Sequence, residues 1–250
     1  MSIFRNKFKN IQDAAEFKHS LISGLPHLEQ VTLPVGRYYR HPNGNRYISV
    51  TTALGTVTDK KDYLDRWRKS VGEEEAAGIA RNAALKGTDL HEMLENYVSN
   101  QPNYSRGYSP VAKQLFNDLK PYLDSNIDEV YGIELKLFSD TLKLAGTADL
   151  VCKWQGRPAI VDYKNARNPR TEDQIKDYYL QSTAYSIMFE ELTGIKTDRF
   201  VILMAVRNNP PQIWMGKRSD HINKVLEMKE NINEVFARID DYESSASNTC

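Results

Sequence analysis

The sequence predicts an α/β fold: a mixed central sheet of about five strands flanked by helices, with an N-terminal helical insertion ahead of the sheet. Three observations carry that prediction. The apolar period is helical from about residue 59 to 124, changes to two over 130–164, and turns helical again over 171–192. Two more apolar runs, RFVILMAV (199–206) and QIWMGKR (212–218), flank the turn NNPP. No segment repeats and no long linker divides the 250 residues, which suffice to bury a sizeable core.

The elements follow in order. Residues 1–58 form a mixed segment with turn signals at GLP (24–26) and HPNGN (41–45). Within it PVGRYYRHPNGNRYISV reads as a hairpin with Tyr-rich arms around Asn43-Gly44. Tyr63, Leu64 and Trp67 space one amphipathic helix, and Ile79 through Val98 supply another. SRGYSP (105–110) is a loop, and 111–124 is a short helix that completes a helical region over 59–125. VYGIELKLF (130–138), LAGTADLVCKW (144–154) and PAIVDYK (158–164) are three consecutive strands with tight connections. Thr171 and Gln174 make a capping-box pattern at the start of the next helix, and Gly194 stops it. A charged helix over 220–241 closes a single domain spanning 1–241, and the polar end 242–250 is expected to be a disordered tail.

Composition narrows the function. Lys plus Arg equals Asp plus Glu at 33 each, so no global field recruits an acidic partner, and a nucleic-acid site must be a local patch. The two cysteines, Cys152 in an apolar strand and Cys250 in the tail, are poorly placed to pair, which points to a reducing compartment. Two thiols cannot hold a four-cysteine zinc site or an iron–sulfur cluster. No apolar run approaches the ~20 residues of a membrane span. MSIFRNKFKN lacks a signal-peptide apolar segment, and Asp13 and Glu16 argue against a transit peptide despite Arg5, Lys7 and Lys9. A cytoplasmic location is therefore expected, a mitochondrial one being the alternative.

Charges stand where a buried sheet calls for Val and Ile: Asp149 interrupts one strand, and Asp162 and Lys164 interrupt the next. With Gln155-Gly156 as a two-residue turn, antiparallel pairing sets Asp149 across from Asp162 and Lys164 across from Thr147. All four then share one face with Val151 and Ile160, while Leu150, Cys152, Trp154, Val161 and Tyr163 share the other. Opposed carboxylates are unfavourable unless a cation lies between them. Mg²⁺ takes one or two protein carboxylates and keeps waters for chemistry. Lys164 would stand beside the metal, orienting water or stabilising a pentavalent phosphate. The plainer alternative is an Asp149–Lys164 ion pair with Asp162 at a solvated strand end, and Glu134-Leu135-Lys136 shows how common the Asp/Glu-x-Lys pattern is.

Gly146-x-x-Asp149 followed by Asp162-x-Lys164 resembles the PD-(D/E)XK nuclease superfamily, specifically its RecB-like exonuclease branch. Upstream, Gly87-Thr-Asp-Leu-His91 is similar to that branch's Gly-x-x-x-His element. Downstream, Gln181-Ser-Thr-Ala-Tyr185 is similar to its Gln-x-x-x-Tyr element. Within the branch, ISVTTAL (48–54) and YLDRWRK (63–69) resemble the mitochondrial genome maintenance exonuclease group and its phage-type relatives. The resemblance covers roughly residues 38–218. Ala148 replaces the proline of the superfamily name, and the iron–sulfur cysteines of some relatives are absent.

This resemblance implies a restriction-endonuclease-like core over 126–241 and Mg²⁺ or Mn²⁺ as cofactor. It implies Asp149 and Asp162 as metal ligands and Lys164 as the catalytic lysine. His91 would be a further metal ligand or active-site contact, and Glu134 an additional acid near the metal. Gln181 and Tyr185 would steady the site or touch the DNA backbone. The activity implied is metal-dependent DNA exonuclease action on single-stranded ends in replication, recombination or repair, with proteins of those processes as further partners. A structure-specific endonuclease and a catalytically inactive nucleic-acid-binding module are the alternatives.

Other patterns weigh less. His91-Glu92-Met93-Leu94-Glu95 begins like HExxH but ends on Glu95, which leaves a zinc protease short of a ligand. Lys60, Lys61, Arg66, Arg68 and Lys69 alternate with Asp59, Asp62 and Asp65, as on a solvated helix face. Tyr63 and Trp67 among them offer stacking surfaces, so the 59–110 helices could arch over the site and guide a single strand.

Overall fold

The computed structural model describes residues 16–58 and 69–247. The basic start at Arg5, Lys7 and Lys9, the series from Lys60 to Arg68 with Tyr63 and Trp67, and Cys250 lie outside the described residues. The elements are β1 (Glu29–Leu33), β2 (Gly36–Arg40), β3 (Arg46–Ser49), α1 (Val50–Leu54), α2 (Glu73–Val98), α3 (Pro110–Asn126), β4 (Ile127–Ser139), β5 (Leu144–Trp154), β6 (Arg157–Ala166), α4 (Lys176–Thr193), β7 (Arg199–Val206), β8 (Gln212–Lys217), α5 (Ile222–Glu230) and α6 (Ile232–Ser247). Among the described residues none of the helices is long and apolar enough to cross a membrane.

Among the described residues the sheet is mixed, as expected, but has eight strands rather than about five. Its order is β1-β2-β3-β5-β6-β7-β8, with β4 antiparallel on the other edge of β5. The foreseen hairpin is β2–β3, pairing Arg40 with Arg46 across the turn. Its docking beside β5 through the parallel pairs Ile48↔Leu144 and Ser49↔Ala145 is a long-range event with no local sign. β1 lies outside the expected strands because EQVTL is mostly exposed and its apolar alternation is limited to Val31 and Leu33, too short to signal a strand.

Local chemistry explains the boundaries. Gln155 (φ 48°) and Gly156 (φ 80°) both take positive φ, the backbone of the primed two-residue hairpin turn. Ser49 ends β3 and starts α1, its hydroxyl accepting from the Thr52 amide at 3.1 Å. At the start of the Glu172–Ile175 turn ahead of α4, the Gln174 side chain accepts from the Thr171 amide at 3.1 Å. Gly194 closes α4 in the left-handed conformation.

Two apolar layers cover the sheet. On one face α1, α4, α5 and α6 pack on Ala148, Val151, Ile160, Ile202 and Met204. On the other α2 and α3 pack on Leu150, Cys152, Trp154, Val161 and Tyr163. The free Cys152 is buried in the second layer.

The chain end differs from expectation. The charged helix breaks at Asn231 into α5 and α6, and α6 runs on to Ser247 through the region expected to be disordered. Val235 and Ile239 dock on the core, and Glu243 accepts from the Tyr38 hydroxyl at 2.5 Å while pairing with Arg40 and Arg46. Tertiary anchoring outweighs the polar composition of ESSAS.

Candidate active site

β5 has one edge that two strands share. β3 takes Leu144 and Ala145, and β6 takes Leu150 through Trp154, which leaves residues 146–149 without a ladder partner on that edge. Two side chains close the gap. The Asp149 carboxylate accepts a hydrogen bond from the Tyr163 amide at 2.7 Å. The Tyr185 ring lies on Gly146, where an added Cβ would stand 2.6 Å from Tyr185 Cε1.

The hairpin register is the expected one from Trp154↔Arg157 to Leu150↔Val161. Beyond it the expectation fails: Asp149 and Asp162 are not ladder partners, nor are Thr147 and Lys164, because the strands part there. β6 continues beside β7 instead, pairing Asp162 with Ile202 and Lys164 with Met204.

The shared face is corrected as well. Asp162 and Lys164 continue the face of Ile160, where Lys164 Nζ lies 4.9 Å from the centre of the Tyr178 ring on α4. Along β5, however, Ala148 belongs to one apolar layer and Leu150 to the other, so alternation breaks at Asp149. Across from it Glu134 takes φ 45°, and the ladder skips from Ile133↔Leu150 to Leu135↔Ala148. A non-glycine residue held at positive φ costs about 1 kcal/mol or more and persists only where surrounding contacts enforce it.

At that break Asp149 turns toward α2. His91, Glu134 and Asp149 each offer a ligand atom, and these atoms all lie within 4.8 Å of one another. His91 Nδ1 stands 3.8 Å from Asp149 Oδ2, and its ring meets Tyr163 edge-on. Asp162, the fourth expected ligand, is not in this cluster. It is 2% exposed, with Oδ2 2.5 Å from Lys164 Nζ but without a hydrogen bond of good geometry.

Negative charge exceeds positive here. Burial, with Asp149 nearby, pushes the Asp162 carboxyl up to about 7 against the pull of Lys164. Lys164 is held above the usual ammonium value: its burial is outweighed by Asp162 and Asp149. Desolvation, then Asp149 and Glu95, raise the Glu134 carboxyl toward about 7. Glu134 is exposed, so water screens part of that effect. With Glu134, Asp149 and Asp162 gathered around the single ammonium of Lys164, and two of these carboxyls pushed upward, the site is short of cationic charge. Carboxylates, one imidazole and an under-bonded buried oxygen fit a divalent cation.

The family model of the PD-(D/E)XK nuclease superfamily matches residues 37–250. The chain belongs to the PD-(D/E)XK nuclease superfamily.

Among curated proteins the chain is 25% identical over 154 residues to mitochondrial genome maintenance exonuclease 1 of Mus musculus, covering 59% of this chain and 44% of that protein. The Homo sapiens protein of the same name is 26% identical over 144 residues, covering 55% and 42%. The matched region thus spans less than half the length of either relative. A solved structure of a candidate exonuclease from Eubacterium rectale aligns with a TM-score of 0.43 and 11% identity, over 62% of this chain and 66% of that one.

In this PD-(D/E)XK chain the Gln181 amide donates to the Tyr185 hydroxyl at 3.1 Å. Tyr185 is buried, its hydroxyl driven well above the ordinary phenol value mainly by burial. It faces the sheet, not solvent. Two neighbours escaped the sequence reading. Glu95 lies one turn beyond His91 and acts on Glu134, a placement its i+4 spacing could have signalled. Tyr178 precedes Gln181 by three residues and Tyr185 by seven, which puts all three on one side of α4.

Proposed function

We propose that this chain is a Mg²⁺- or Mn²⁺-dependent deoxyribonuclease that hydrolyses phosphodiester bonds from single-stranded DNA ends. One observation carries the reading: His91, Glu134 and Asp149 converge within 4.8 Å, beside the buried Asp162–Lys164 pair. The names of the curated relatives support the exonuclease part.

Asp149, Glu134 and His91 would hold the cation, with Asp162 turning from Lys164 to join them. When bound, the cation supplies Lewis acidity to a phosphoryl oxygen and a more acidic water. Lys164 is aimed by two contacts, the Asp162 carboxylate and the Tyr178 ring, and once Asp162 turns away its ammonium is free to donate to the water or to the phosphate. Gln181 and Tyr185 position the strand that carries Asp149 by filling the gap over Gly146. The same reading assigns the chain to replication, recombination or repair, in a cytoplasm or a mitochondrion.

An end-labelled oligonucleotide, single- or double-stranded, incubated with Mg²⁺, Mn²⁺ or EDTA is the test. Single strands should be degraded with either metal and survive in EDTA. Asp162→Ala and Lys164→Ala should abolish cutting while the fold is kept. A circular single strand should stay intact, since an exonuclease needs an end; cutting it would mean an endonuclease. Binding without turnover in Mn²⁺ would leave only a nucleic-acid-binding module.

A further inference from the structure

We propose that the carboxyl ends of β6 and β7 form a phosphate-binding shelf, on which Arg167, Arg170 and Arg207 hold the backbone of the strand being cut. This rests on the nuclease reading above and adds the path of the substrate.

The two segments concerned are NARNPRT (165–171), the last two residues of β6 and the loop that follows, and RNNPP (207–211), after β7. Together they hold three arginines and four asparagines, and neither contains a carboxylate. In a chain with balanced charge that is a local excess of donors of the kind that binds phosphate oxygens. All three arginines are exposed, and none forms an ion pair with a described residue. The acids next along the chain are Glu172 and Asp173, and Lys176 takes Asp173 at 2.6 Å.

Pairing places the loops side by side. β6 and β7 run parallel and end together at Ala166↔Val206, and the Arg207 amide donates to the Ala166 carbonyl at 3.0 Å. Gln212 clamps the first loop: its Oε1 accepts from the Arg170 amide at 2.7 Å and its Nε2 donates to the Arg170 carbonyl at 2.8 Å. Gln212 lies across from Met204, which in turn lies across from Lys164. Lys164, Met204, Gln212 and the Arg170 backbone therefore form one row across the sheet. With strands about 4.8 Å apart and a rise of about 3.3 Å per residue, both Gln212 and the start of the Arg167 loop lie about 10 Å from Lys164. Carboxyl ends of parallel strands are where open α/β sheets receive ligands. The backbone clamps fix the loops in advance, so little ordering entropy opposes binding.

The test compares full-length wild type with the Arg167→Ala/Arg170→Ala/Arg207→Ala triple variant. Binding of a fluorescent single-stranded oligonucleotide is followed by anisotropy in EDTA across a KCl series. Losing three phosphate contacts should make the slope of log K on log[salt] shallower by about 2, with affinity at low salt down at least about tenfold. The corresponding triple Lys variant should recover most of both, which removal of a merely structural side chain would not predict. Thermal melting and Mn²⁺-dependent cleavage are recorded alongside. An unchanged slope while wild type cleaves overturns the shelf and leaves the nuclease reading intact. A shallower slope with no cleavage by wild type supports the shelf and overturns the nuclease reading.

Discussion

The carboxylate of Asp149 accepts a hydrogen bond from the backbone amide of Tyr163 at the point where β5 and β6 separate. The side chain thus has two tasks. It satisfies a donor that the ladder no longer serves, and it presents charge to His91 and Glu134. The two tasks can be separated.

Asp149→Asn keeps an acceptor for the Tyr163 amide but removes the charge. It should melt close to wild type, lose Mn²⁺-dependent cleavage and show no metal-induced stabilisation. Asp149→Ala removes both, leaving a buried amide unpaired at a cost of about 1–3 kcal/mol. Calorimetry of the two variants checks this, and equal melting temperatures would show that the hydrogen bond contributes nothing.

Gly146→Ala sets a methyl group 2.6 Å from Tyr185 Cε1. Overpacking of this kind costs about 1–3 kcal/mol, and at about 2–4 °C per kcal/mol the melting temperature should fall by several degrees. Tyr185→Leu makes room, so the double variant should be more stable than the sum of the single losses predicts. A double-mutant cycle without coupling would place the ring elsewhere.

Asp162 and Glu134 are both driven toward about 7. The sign follows from proton counting. Folded carboxyls with raised pKa bind more protons than unfolded ones, so their stabilising contribution is full below the unfolded value and is lost as pH rises toward about 7. Metal-free protein should therefore lose stability from these groups between about pH 4 and 7. A bound cation replaces the protons. Mn²⁺ should raise the melting temperature more at about pH 8 than at about pH 5.5. Equal shifts at both pH values would mean that the cluster does not take the ion.

Tyr178 holds the Lys164 ammonium over its ring at 4.9 Å. Such contacts are worth about 0.5–2 kcal/mol, so Tyr178→Leu should slow cleavage by roughly two- to thirtyfold, mainly in kcat. Tyr178→Phe keeps the ring face and should stay near wild type. Steady-state kinetics of the pair decide between a role for the ring and a role for the hydroxyl.

Much of this was legible locally. The period-two runs, the Gln155-Gly156 turn, the Gly194 stop and the common face of Asp162 and Lys164 depend on neighbours a few residues away, and each stands as the letters indicate. Gly146 was legible as a motif letter, but its cause, the Tyr185 ring, comes from a distant helix. Glu95 and Tyr178 carried helical spacing that tied them to His91 and Gln181, and only the packing of α2 and α4 gave that spacing meaning.

The sequence by itself determined which residues alternate, where the hairpin turns and which acids and amine interrupt the apolar strands. The tertiary structure alone decided that Asp149 leaves the ladder opposite Asp162 and joins Glu134 and His91. The physical reason is that alternation reports a face only while a ladder stays regular. Here β3 and β6 divide one edge of β5, and the residues between them are placed by side chains that arrive from helices far along the chain.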